Sequence, residues 1–160
     1  MRFPALTLIA GAAVLGACGG GAKKAADTTS AGPKASPGAP AAATSIPANG
    51  DTVDVKMIGD AQGYRFEPAD VSIKPGGAVK FVMVSGGPHN ISFDPATIPP
   101  DVKDQLNANM DQKVSELSSP LLMNPNETYT ISFGGIKPGK YEFHCTPHLA
   151  MGMKGSVTVQ

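Results

Sequence analysis

From Thr52 to the end of the chain, apolar and polar side chains alternate in short runs. Val53, Val55 and Met57 are separated by Asp54 and Lys56, and Val71 and Ile73 by Ser72. The rhythm returns at Tyr129, Ile131 and Phe133, at Tyr141, Phe143 and Cys145, and at Val157 and Val159. A period of two puts every apolar side chain on one face of an extended chain, so each run predicts a half-buried strand. Residues 79–84 (Val-Lys-Phe-Val-Met-Val) are nearly continuous in apolar character and predict a strand covered on both faces. Turns fall at Lys74-Pro75-Gly76-Gly77 and Lys137-Pro138-Gly139-Lys140, where Pro presets φ and Gly permits the reversal. Short strands at this spacing, without long amphipathic helices, predict an all-β sandwich. One stretch breaks the pattern: between Pro100 and about Val114, Val102, Leu106 and Met110 recur every four residues. That spacing fits a short surface helix in a connection, and it fits equally an irregular loop whose apolar residues dip into the core.

The first fifty residues follow other rules. Met1-Arg2 precedes an apolar run that ends in Leu15-Gly16-Ala17-Cys18, the pattern of a secretory signal over residues 1–17, too short to span a bilayer. Leu15-Gly16-Ala17-Cys18 resembles the bacterial lipobox, which implies cleavage before Cys18 and lipidation of that residue; the alternative is an ordinary cleaved signal with a chance Cys. Gly19 stands where an aspartate can signal inner-membrane retention. Residues 19–50 are almost all Gly, Ala, Pro, Ser and Thr, with Ile46 the only large apolar side chain. Such a segment buries too little surface to offset the entropy of ordering it, so residues 18–50 are expected to be a disordered tether. Its 32 residues from 19 to 50 would span roughly 30 Å as a flexible coil. The folded domain is then expected over residues 51–160, enough chain for one core.

Charge and donor atoms narrow the function. The 160 residues carry 13 Lys and Arg against 13 Asp and Glu, so there is no concentrated basic surface and no nucleic-acid partner is expected. Two Cys and three His exclude a disulfide scaffold and a centre built from many imidazoles. What remains is one small constellation: Pro88-His89-Asn90 and, far downstream, Cys145-Thr146-Pro147-His148-Leu149-Ala150-Met151-Gly152-Met153. A thiolate, two imidazoles and a thioether are the donors of a mononuclear blue-copper site, two His and a Cys in plane with a weak axial Met. Each residue alone has a plainer reading, Cys145 as a small core hydrophobe and the methionines as filler. Together the plainer reading needs four soft or borderline donors to fall by accident in this order.

The same segments resemble the cupredoxins of the plastocyanin and pseudoazurin group. The resemblance covers residues 53–160 and rests on Phe66-Glu67-Pro68, Ile73-Lys74-Pro75-Gly76, Pro88-His89-Asn90 with Phe93-Asp94, Lys137 through Tyr141, and Cys145 through Val159. It implies a Greek-key β-sandwich and one copper ion held by His89, Cys145, His148 and Met153. The pseudoazurin spacing selects Met153 as axial ligand, whereas the amicyanin spacing would select Met151. It also implies that the Asn90 N–H points at the Cys145 thiolate and that the Asn90 side chain ties the two ligand loops together. Pro147 has no N–H to give the sulfur. Electrons are expected to pass at an exposed edge of His148, inside an apolar collar of Leu149, Ala150, Met151, Pro88 and Tyr64. Two features depart from the family. His89 and Cys145 lie 56 positions apart, longer than is usual in plastocyanins, with the excess placed between Pro95 and Asn126. His144 stands where plastocyanins carry a Tyr. Residues 51–160 hold nine Lys and Arg against twelve Asp and Glu, a net of minus three without an acidic block, so strong electrostatic steering is not expected.

The expected function is therefore a monomeric, exported, lipid-anchored copper protein, facing the periplasm or cell exterior and shuttling single electrons between redox proteins such as a cytochrome, a terminal oxidase or a reductase. It is not expected to be an enzyme, since three His cannot furnish further copper centres. An extracytoplasmic copper carrier or storage protein is the alternative.

Overall fold

The computed structural model describes residues 42–160; the expected signal, Cys18 and the tether as far as residue 41 lie outside the described residues. Eight strands and one helix follow in the order β1 (Thr52–Asp60), β2 (Gly63–Glu67), β3 (Asp70–Ile73), β4 (Ala78–Met83), β5 (Ser92–Phe93), α1 (Pro100–Asn109), β6 (Thr128–Ser132), β7 (Gly139–His144) and β8 (Lys154–Val159). They form two four-stranded sheets, β2-β1-β4-β6 and β3-β8-β7-β5. β1 and β4 pair in parallel, as do β3 and β8, and the remaining pairs are antiparallel. The chain is thus a β-sandwich, as the alternation predicts.

The alternating side chains make the layer between the sheets. Val55, Met57, Phe81 and Ile131 point inward from one sheet, and Val71, Tyr141, Phe143 and Val157 from the other. Phe66, Phe81 and Phe143 meet edge to face, with ring centroids 4.8 to 6.0 Å apart, the arrangement that aromatic quadrupoles favour. The expectation that β4 is covered on both faces is corrected. Val79, Phe81 and Met83 are buried, but Val82 is half-buried and Lys80 reaches Asp54 on the neighbouring strand, 3.0 Å away. The outer face of that sheet borders solvent.

The periodic stretch after Pro99 is a helix, shorter than expected. Pro100 occupies the first turn, where its missing N–H costs nothing, and Val102 and Leu106 are buried. The helix ends at Asn109, after which Met110 takes extended backbone angles, and Val114 is exposed. Thr44 through Gly50 lie against the domain, bonded to α1, to β6 and to the turn before β4.

Candidate metal centre

The end of β4 and the end of β7 bring the site together. After β4 the chain turns through Ser85-Gly86-Gly87-Pro88, and Gly86 adopts φ +73°, the left-handed region that glycine enters freely. A Cβ on Gly86 would lie 2.4 Å from the Gly59 Cα, so only glycine lets this turn press against β1. The turn aims the Ser85 carbonyl at His89 Nε2, 2.8 Å away. A carbonyl only accepts, so the neutral His89 ring carries its proton on Nε2 and leaves Nδ1 with a free lone pair. His89 is held further by paired backbone bonds to Leu122, 2.7 and 3.1 Å long.

Cys145 follows the last residue of β7, and its inward phase with Tyr141 and Phe143 buries it completely. His148 comes three residues later, past Pro147. Cys145 Sγ lies 3.6 Å from His89 Nδ1 and 3.4 Å from His148 Nδ1. Among the described residues, these three form the one group of Cys, His and carboxylate side chains whose ligand atoms all fall within 4.8 Å of one another. His144, the remaining histidine, stands outside it on β7, paired with Lys154 and Ser92.

The donors fit a soft transition-metal ion. Burial pushes the Cys145 thiol up, while backbone N–H groups of Asn90 and His148 pull it back. Burial, and the neighbouring His89, push His148 down and keep its imidazole neutral. Two imidazoles whose Nδ1 atoms face the sulfur and a thiol that gives up its proton on binding suit copper, and three N/S donors leave room for a weaker fourth. Met153 is 0% exposed, and its backbone bonds to Cys145 (3.1 Å) and His148 (3.2 Å). Met151 lies in the short 3-10 turn Leu149–Met151 and is 60% exposed.

Asn90 bridges the two loops. Its Oδ1 accepts from the Thr146 N–H at 2.7 Å, and its Nδ2 donates to Thr146 Oγ and to Ser118 Oγ at 3.2 Å each. The roles of Ser85, Thr146 and Ser118 were not legible in the sequence. Thr146 alone offered a cue, its place next to Cys145. The His148 edge, expected to be open, is only 7% exposed. Tyr64 on β2 stacks on the ring, centroids 3.8 Å apart and planes 11° apart, so the collar closes over the imidazole. Pro88 is half-buried, and Leu149, Ala150 and Met151 are exposed around it.

Comparison with known proteins agrees with this geometry. Residues 52–160 match the family model for copper binding proteins of the plastocyanin/azurin family. The chain is 40% identical over 112 residues to the chloroplastic plastocyanin of Physcomitrium patens, covering 70% of this chain and 60% of that one. It is 37% identical over 114 residues to the plastocyanin of Nostoc punctiforme, covering 71% and 77%. The oxidized plastocyanin of Dryopteris crassirhizoma superposes with a TM-score of 0.51 at 33% identity, over 68% of this chain and all of that one. With its sandwich, its buried His-Cys-His group and a family match over most of its length, the chain belongs to the plastocyanin/azurin family of copper-binding cupredoxins.

Proposed function

We propose that this protein is a membrane-tethered, single-copper electron carrier in which His89, Cys145, His148 and Met153 hold the ion. The observation that carries the reading is the convergence of Cys145 Sγ with both imidazole Nδ1 atoms inside a buried pocket. Bound copper supplies one-electron exchange between Cu(II) and Cu(I). The protein's part is to hold the donors still. Ser85 fixes the His89 tautomer, Asn90 locks the Cys145 loop to the His89 loop, and Tyr64 braces the His148 ring. A site that cannot relax between oxidation states needs little rearrangement when an electron passes.

Burial of Met153 and exposure of Met151 favour Met153 as the axial donor. Leu149, Ala150, Met151 and Pro88 frame the His148 side of the site as an uncharged rim. A small apolar contact of this kind permits fast docking and release of a redox partner such as a cytochrome, a terminal oxidase or a reductase. The three His of the whole sequence supply no second copper centre at which a substrate could be turned over. Lipidation at Cys18, supported by Leu15-Gly16-Ala17-Cys18, would hold the domain on the outer side of a bacterial membrane, facing the periplasm or the exterior. Voltammetry and stopped-flow oxidation of the copper-loaded protein test this reading. A reversible one-electron wave with rapid exchange is expected; copper that binds tightly but exchanges electrons slowly would point instead to a carrier or store of the metal.

A further inference from the structure

The segment before β1 is polar and small, yet it is bonded to three separate elements. The Thr44 carbonyl accepts from Gln105 Nε2 at 2.9 Å, and the Ile46 N–H donates to Asn109 Oδ1 at 2.9 Å, both on α1. The Ile46 carbonyl accepts from Ser132 Oγ at the end of β6. The Asn49 and Gly50 N–H groups both donate to the Gly76 carbonyl in the turn before β4, at 2.9 and 3.0 Å.

Asn109 is the centre of this arrangement. It is 5% exposed, and its amide is fully used: Oδ1 accepts from Ile46 and Gln105, and Nδ2 donates to the carbonyls of Ser132 and Gly134. A buried amide with all four bonds made is costly to disturb, because removing any partner strands a polar atom away from water. A seat for Ile46 adjoins it. A Cβ on Gly134 would stand 2.7 Å from Ile46 Cγ2, and one on Gly135, which adopts φ +72°, would stand 2.7 Å from Ile46 Cδ1. The isoleucine rests over the two glycines with 41% of its surface still exposed.

Strand direction says which pole this is. His89 follows the end of β4 and Cys145 the end of β7, so the metal centre sits where those strands finish. The seat lies where β1 and β4 begin and β6 ends: Ala78 pairs with Thr52 and Ser132, and the Phe133 N–H donates to the Gly77 carbonyl. β1 has nine residues, so at about 3.3 Å per residue it separates the two poles by roughly 30 Å.

We propose that residues 44–50 are a docking strap, latched by Asn109 and seated by Ile46, that fixes the exit of the N-terminal segment at the pole opposite the metal centre. The helix-bearing connection between β5 and β6 then has a task of its own, holding the strap. A chain anchored through Cys18 is thereby attached at the pole away from the His89-Cys145-His148 group. That consequence rests on the lipid-anchor reading, whereas the strap does not.

The test uses the full-length, copper(I)-loaded chain carrying Cys18→Ala and Ala42→Cys, with a nitroxide on the added thiol and Cys145 shielded by burial. Amide signals of Gly76, Gly77, Gly134 and Gly135 should be broadened strongly, and those of Thr146 and residues 148–152 left sharp. Adding Ile46→Gly should spread the broadening, and should speed exchange of the residue 46, Asn49 and Gly50 amides at least tenfold while the strands stay protected. Asn109→Ala should do the same if the domain remains folded, and Ile46→Gly decides the matter if it does not. Even broadening at both poles before the strap is altered, or exchange unchanged by Ile46→Gly, would overturn the proposal. Membrane attachment plays no part in either readout, so failure of the anchor is seen separately.

Discussion

Asn90→Ala should loosen the metal loops and lower stability by an amount the geometry lets one estimate. The substitution removes three hydrogen bonds, two between Asn90 and Thr146 and one between Asn90 and Ser118. Each neutral bond contributes a net of about 1 kcal/mol, and a buried group left without a partner costs about 1–3 kcal/mol. Thr146 is exposed and turns to water, while Ser118 is buried and does not. The loss should therefore be about 2–4 kcal/mol, which for a domain of this size lowers Tm by about 10–15 °C. Thr146→Ala removes only the hydroxyl acceptor and should cost about 1 kcal/mol. The pair should be non-additive by about the energy of that shared bond. Denaturant unfolding of both single variants and the double, at fixed copper saturation, measures all three quantities. A loss below about 0.5 kcal/mol for Asn90→Ala, with full additivity, would refute the view that Asn90 joins the loops.

Two further outcomes follow from the structure and one from the sequence. Met153→Leu should raise the reduction potential by removing a weak donor that favours Cu(II), whereas Met151→Leu should leave the potential unchanged and slow partner reduction; voltammetry of both separates the two methionines. Glu127 accepts from the Asn124 side chain and from the Asn124 and Met123 N–H groups, which holds its carboxyl below the usual carboxylate range. Its contribution to stability is then complete above the ordinary carboxylate value and lost as pH falls through the lowered one. Glu127→Gln should flatten that part of the acid limb of the pH–stability curve, and an unchanged limb would contradict the assignment. Cys18→Ala should move the protein from the membrane to the soluble fraction or leave the signal uncut, with the copper spectrum unaltered; fractionation that stays at the membrane with normal processing would count against the lipid anchor.

Much of the sandwich was legible because burial on one face forces alternation, and β1, β3, β6, β7 and β8 all show it. β2 was not, since Tyr64 and Phe66 alone alternate among Arg65 and Glu67, too short a run to distinguish from a loop. β5 is two residues long and exists through its pairing with Ser92 opposite His144 and Phe93 opposite Phe143. The strap was read as disordered for a related reason. Its composition promises no core, and its bonds run to partners 63 and 86 positions away, which no local pattern encodes. Nothing in the local pattern marks Asn109, and its burial becomes evident only when α1 is placed over β6. At the metal centre the donors themselves were readable from chemistry and spacing. The Ser85 carbonyl was not, because every residue carries one and only the turn at Gly86 selects it. Nor was the closure of Tyr64 over His148, which depends on how the β1–β2 hairpin sits beside the ligand loop.

Cys145 should bind copper as a thiolate beside His89 and His148, and the visible absorption and electron paramagnetic resonance spectra of the purified protein with one equivalent of Cu(II) report that bond. An intense blue thiolate-to-copper band is expected, lost in Cys145→Ser while the β-sheet circular dichroism is kept. A folded protein that binds Cu(II) without that band, or a Cys145→Ser variant that stays blue, would contradict it.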